Sequence, residues 1–220
     1  MIEPLQVKVC GLTSLADAEF AAACGAGYLG FILHPKSPRH ISLEGFRSFY
    51  GRLPKRTLVA VTVEPSADAL LAMREAGFKR FQVHFRHDTP VGVIRSWSSV
   101  VGAENLWLAP KLPPRADAAV AWLGLSKTVL LDTFDEKLFG GTGRTGDWPK
   151  FKRHQQRHPA TTWILSGGLN PANVVEAIDE SEARFVDVNS GVESSPGVKD
   201  NAKVKAFFAA VSRAEGTQGS

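Results

Sequence analysis

Short apolar runs alternate with helix-patterned segments from one end of the chain to the other, eight times over. The runs read as strands at residues 7–10, 28–33, 57–63, 81–85, 106–109, 127–133, 161–165 and 185–188. The segments between them carry their own start and stop signals. Ser14, with Asp17 three residues on, makes a capping-box-like entry, and Gly25 and Gly27 close that helix. Ser42, Ser66, Pro90 and Asp200 begin others, and Gly77 stops the one from Ser66. A short helix is expected over 115–122, one capped by Asn170 with Pro171 at its first position, and a last one to about residue 213.

Nearly continuous apolar strands imply burial on both faces, as in parallel sheets. Eight such strand–helix units predict a closed (β/α)8 barrel, the TIM barrel, rather than an open doubly wound sheet. An open sheet usually carries its glycine fingerprint after the first strand, and Gly11-Leu12-Thr13 does not supply one. No linker interrupts the pattern. Residues 1–214 therefore read as one α/β barrel domain, and 215–220, EGTQGS, as a flexible tail.

Composition narrows the partners. With 44% hydrophobic and 22% charged residues among 220, the chain is ordinary globular material. Its net charge of +4 is scattered, with no interleaving of basic and aromatic side chains, so no nucleic-acid partner is expected. The two cysteines make no disulfide framework and suit a reducing cytoplasm. The first residues lack a signal peptide's pattern, and no apolar run approaches the roughly 18 residues of a membrane span.

Chemistry concentrates in 130–148, LLDTFDEKLFGGTGRTGDW. Asp132 stands where the sixth strand should end, a glycine-rich turn follows with Gly141 and Gly143, and a helix starts near Asp147. A carboxylate beside pliable, N–H-rich backbone suits a phosphorylated small-molecule substrate; the plainer reading is an aspartate capping a turn. Alternate strand residues point into a barrel. On that parity Lys8, Cys10, Gln82, His84, Asp132, Asp187 and Asn189 face inward, while Val7, Val9, Val83, Leu131, Val186 and Val188 face the helices. Cys10 also fits as a small buried hydrophobe and His84 as a satisfied rim histidine. An inward lysine needs a partner, and strands one and eight are neighbours in a closed barrel, so Lys8 is expected to pair with Asp187. Two glycine turns, Ser166-Gly167-Gly168 and Asn189-Ser190-Gly191, follow strands seven and eight, where barrels bind phosphate.

The motifs Lys8-Val-Cys-Gly-Leu-Thr13, Ser37-Pro-Arg-His40, Gln82-Val-His84, Leu131-Asp-Thr133, Gly140-Gly-Thr-Gly-Arg-Thr-Gly-Asp-Trp148, Leu165-Ser-Gly-Gly-Leu-Asn-Pro171 and Val186-Asp-Val-Asn-Ser-Gly-Val-Glu193, with Gly197-Val-Lys-Asp200, together resemble the phosphoribosylanthranilate isomerases of tryptophan biosynthesis. The resemblance spans almost the whole chain. It implies an Amadori rearrangement of an aminoaldose phosphate to an aminoketose phosphate, with no metal or organic cofactor, by a monomer or a homodimer. It makes Asp132 the general acid and Cys10 the general base, and sets Arg39 against the anthranilate moiety. Lys8, His84 and Asp187 are candidate substrate-binding residues, and Gly141, Gly143, Gly167, Gly168, Ser190 and Gly191 candidate phosphate-binding residues. Burial would help keep Asp132 protonated, and Lys8, two residues before Cys10, is expected to favour its thiolate. Two departures from the family pattern, Phe85 after His84 and Pro110 in the fifth strand, bear on substrate fit. A barrel acting on another aminoribosyl phosphate, and an idle barrel serving as a binding subunit, are the competing readings.

Overall fold

A computed structural model describes residues 4–113, 116–118, 120–132 and 147–218. Eight parallel strands close on themselves in sequence order: β1 (Gln6–Val9), β2 (Tyr28–Ile32), β3 (Thr57–Val63), β4 (Arg80–Arg86), β5 (Leu106–Lys111), β6 (Thr128–Leu131), β7 (Thr162–Leu165) and β8 (Phe185–Val188). Closure is between β1 and β8, in a register that sets Lys8 beside Asp187. The helices are α1 (Leu15–Cys24), α2 (Leu43–Arg47), α3 (Ala67–Glu75), α4 (Val91–Val101), α5 (Val120–Leu123), α6 (Trp148–Arg157), α7 (Val174–Ser181) and α8 (Asn201–Gln218). Ser14, Ser42 and Ser66 cap α1, α2 and α3 through backbone N–H groups three residues on, and Gly25 ends α1 in the left-handed region.

Strand parity divides the core as expected. Val7, Val9, Val83, Leu108, Val129, Val186 and Val188 join the apolar layer between strands and helices. Val59, Val61, Trp107, Leu130, Ile164 and Phe185 form a second cluster with Cys10 inside the barrel. There Tyr28 packs on Trp107 and Phe185 at ring distances of 5.3 and 4.8 Å. This aromatic plug fills part of the interior with side chains, so the barrel is a core rather than a pore.

The structure departs from the expected elements in four places. Residues 116–118 are not helical, and α5 begins only at Val120. Contacts from α6 hold this stretch: Arg157 bonds Asp117 at 2.9 Å, and Lys150 donates to the Pro113 carbonyl at 3.0 Å. Helix α7 starts at Val174, because the Asn170 side chain accepts the Ala172 N–H and the Asn173 side chain accepts the Asn170 N–H, making a turn first. Helix α8 runs on to Gln218. A two-stranded antiparallel hairpin, β9 (Glu193–Ser195) and β10 (Val198–Lys199), follows β8; its strands are too short to show alternation.

Phe85 does not narrow the substrate side. It is buried among the helices, edge-on to Trp97 and Trp122 at 5.7 and 5.4 Å. Pro110, paired with Phe85 across β4 and β5, is also buried, and neither residue lines the cavity described next.

Candidate active site

A cavity of about 570 Å³ lies at the C-terminal ends of the strands. Cys10 follows β1, His84 comes from β4, Asp132 stands one residue past the end of β6, and Asp187 comes from β8. All four line this one cavity, as do Arg39, Gly167, Gly168 and Ser190. The thiol and the carboxylate therefore share one mouth, the placement that an idle barrel does not require. Asp132 is half-buried. Gly141 and Gly143 lie outside the described residues.

Lys8 is fully buried behind the lining, with Nζ 2.8 Å from Asp187 Oδ1. Burial by itself would pull the ammonium pKa down, but Asp187 and Cys10 outweigh it and hold the lysine cationic. Burial pushes the Asp187 carboxyl up against the opposing pull of Lys8, and Ser166 Oγ donates to its other oxygen at 3.4 Å. Removing one member of such a pair leaves an uncompensated charge in the interior. Lys8→Met is expected to destabilise the fold by about 3–5 kcal/mol in urea unfolding; a loss below about 1 kcal/mol, the value of an exposed pair, would contradict this.

The Cys10 thiol is itself raised, by burial first, with Lys8 and Lys199 pulling it down. Lys8 thus acts in the expected direction, but burial outweighs it. His84 is pushed down to about 3 by burial, then by Lys8 and His34. It is a neutral ring, 2.8 Å through Nε2 from the amide nitrogen of Gln82, and it lines the cavity besides. Its bond to Gln82 fits the rim-histidine reading, and its place in the lining leaves the substrate-contact reading open. It can serve a substrate as a hydrogen-bonding group, not as a cation.

The turns after β7 and β8 face one another. Gly167 and Gly168 have φ of +98° and +64°, conformations that glycine adopts readily and a β-branched residue does not. Ser190 opens a 3₁₀ turn, Ser190–Val192. Gly191 sits behind the lining, where a Cβ would strike the Leu169 carbonyl oxygen, so the two turns touch through it. If this turn takes a substrate's phosphate, Gly168→Val is expected to raise KM about tenfold with a smaller change in kcat, since strain of roughly 1–3 kcal/mol falls on the turn. An unchanged KM would remove that assignment.

Sequence reasoning did not single out Glu193 and Lys199. Glu193 takes Arg39 Nε at 2.9 and 3.0 Å and Nη2 at 2.8 Å, and Lys199 meets Glu193 at 2.8 Å. Both belong to a quoted motif, but nothing in their spacing shows that a hairpin folds them onto Arg39. Among the described residues, no group of three or more histidine, cysteine, aspartate or glutamate side chains is arranged to hold a metal ion. Nor is any described helix long and apolar enough to cross a membrane.

Residues 7–210 match the family model described as N-(5'phosphoribosyl)anthranilate (PRA) isomerase. The N-(5'-phosphoribosyl)anthranilate isomerase of Syntrophus aciditrophicus is 38% identical over 215 residues, covering 96% of this chain and 89% of that one. The crystal structure of the Thermotoga maritima phosphoribosyl anthranilate isomerase superposes with a TM-score of 0.81 at 33% identity, over 95% of this chain and 99% of that one. Another such isomerase, solved in complex with reduced 1-(o-carboxyphenylamino)-1-deoxyribulose 5-phosphate, superposes with a TM-score of 0.77 at 31% identity, over the same shares of the two chains.

Proposed function

The chain belongs to the phosphoribosylanthranilate isomerase family, and from that premise we propose how its barrel mouth carries out the reaction. The activity is the Amadori rearrangement of N-(5-phosphoribosyl)anthranilate to 1-(2-carboxyphenylamino)-1-deoxyribulose 5-phosphate, a step of tryptophan biosynthesis.

Asp132 donates a proton to the furanose ring oxygen as the C1′–O bond breaks. The nitrogen lone pair closes onto C1′ to give an iminium. Cys10, as thiolate, then takes the C2′ proton; the C2′–H electrons form C1′=C2′, and the C=N pair returns to nitrogen. The enolamine loses its C2′ hydroxyl proton and gains one at C1′, which yields the aminoketose. Hydrogen and electrons only change places within the molecule, so the step needs no external oxidant or reductant. General acid–base transfer by positioned side chains is the whole demand.

The raised thiol pKa fits this order. Burial favours the protonated Cys10, so the thiol gives its proton to solvent before it acts as base. Ring opening places a cationic iminium beside it, which lowers the cost of the thiolate and acidifies C2′ at the same moment. The neutral His84 and the Lys8–Asp187 pair hold the sugar's side of the cavity. Arg39 receives the anthranilate, and the turns at Gly167-Gly168 and Ser190-Gly191 receive the phosphate. A cytoplasmic monomer or homodimer, binding this small phosphorylated substrate and neither nucleic acid nor membrane, suits that role.

The observation that carries the proposal is that Cys10 and Asp132 line one cavity together with the two glycine turns. The direct test is loss of the fluorescence of the anthranilate adduct on adding the protein. Turnover with this substrate is expected, and none would remove the assignment.

A further inference from the structure

The hairpin of β9 and β10, appended after the last barrel strand, builds a buried charge cluster behind one wall of the cavity. Arg39 lines the cavity, while Glu193 and Lys199 do not. Glu193 engages Arg39 through Nε and Nη2, leaving Nη1 of the guanidinium outside that contact. Lys199, its side chain 1% exposed, spends its donors on Glu193 Oε1 at 2.8 Å and on the carbonyl and side-chain oxygens of Asn189 at 3.2 and 2.9 Å. Burial opposes the Glu193 carboxylate, but Arg39 and Lys199 hold its pKa below the usual carboxylate range, so it is ionised.

A carboxylate gripping an arginine in two places fixes its plane but also cancels its charge. An Arg39–Glu193 pair alone would present little net attraction to an anion. Burial lowers the Lys199 pKa against the pull of Glu193, and its 2.8 Å contact with that ionised carboxylate makes it the second cation; the cluster thus has two cations and one carboxylate, and only one of the cations reaches the cavity.

We propose that Lys199 is a positioning residue for substrate selection: it neutralises Glu193 from behind the lining, so that Glu193 orients Arg39 without consuming its charge, and a net positive fork is left for the carboxylate on the substrate's aromatic ring. This rests on the reading that Arg39 meets the anthranilate moiety. The same lysine bonds Asn189, next to Ser190, so the aromatic and phosphate ends of the site are braced from one point.

The test compares two ligands by calorimetry: the reduced aminoketose phosphate, and its phenylamino counterpart lacking the carboxyl group. Arg39→Met is expected to abolish the wild-type preference for the carboxylate. Lys199→Met is expected to cut that preference about tenfold, the scale of one interfacial charge contact. The double variant Glu193→Gln/Lys199→Met returns the local charge to its original sign and is expected to regain the preference to within about twofold; Lys199→Arg is expected to keep it. A lysine acting only as a structural prop predicts instead that Lys199→Met weakens both ligands alike and leaves the preference unchanged. Retained preference in Arg39→Met would overturn the reading of Arg39 and this proposal with it. Lost preference in Arg39→Met with none lost in Lys199→Met would overturn the proposal alone. If Lys199→Met fails to fold, Lys199→Gln, which removes the charge but keeps hydrogen-bonding groups, decides: preference cut supports the role, preference kept refutes it.

Discussion

Cys10→Ser is expected to lower kcat about a thousandfold while changing the affinity for the reduced product little. Serine keeps the shape and one hydrogen-bonding group, so ground-state binding survives. Its hydroxyl is far less acidic than a thiol and has no neighbouring base among the roles assigned here, so C2′ loses its proton acceptor. The pH dependence carries a sign. On the proposed mechanism the thiolate is the active form and burial raises the thiol pKa, so the limb of the wild-type pH profile that belongs to Cys10 should lie above the range of an ordinary thiol, while the need for a protonated Asp132 opposes it as pH rises. That limb should be missing from the serine variant. A variant retaining more than about a tenth of wild-type kcat would show that Cys10 is the small buried hydrophobe its 3% exposure also permits.

Asp132→Asn is expected to cost roughly a hundred- to ten-thousandfold in kcat, the range of a positioned acid. The carboxamide preserves volume but cannot deliver a proton to the ring oxygen. The two variants should stop at different points. Cys10→Ser still opens the ring, so borohydride should trap an iminium on the enzyme-bound substrate. Asp132→Asn should leave the cyclic substrate untrapped. Trapping in both variants would assign ring opening elsewhere and leave Asp132 as the turn cap that its position one residue past β6 equally allows.

The placement of Cys10 and Asp132 in one cavity was legible because each stands at the end of an apolar run on the inward parity. Lys8 and Asp187 were legible for a different reason: a buried ammonium has few tolerable fates, and ring closure makes β1 and β8 neighbours. The register confirms it. What sequence could not carry was the balance between opposing effects. Lys8 does favour the Cys10 thiolate, yet burial outweighs it, and the amount of burial is a property of the packed barrel. Phe85 illustrates the same limit. Its one-residue offset from His84 already points it to the helices, while its departure from the family pattern drew attention to the substrate instead. The hairpin that folds Glu193 and Lys199 onto Arg39 left no periodic trace, because strands of three and two residues hold no period. The stretch 116–118 is not helical, and α6 reaches it and Pro113 through Arg157 and Lys150, tertiary contacts that local propensity does not report.

On the proposed mechanism two proton-transferring groups flank one sugar above an anion cup. A crystal structure of this protein with the reduced aminoketose phosphate tests that directly. The account predicts Cys10 Sγ within contact of C2′, the Asp132 carboxylate on the sugar's ring-oxygen side, and the phosphate seated between the Gly167-Gly168 and Ser190-Gly191 turns. A ligand bound with its C2′ beyond reach of the sulfur, or with its phosphate away from those turns, would contradict it.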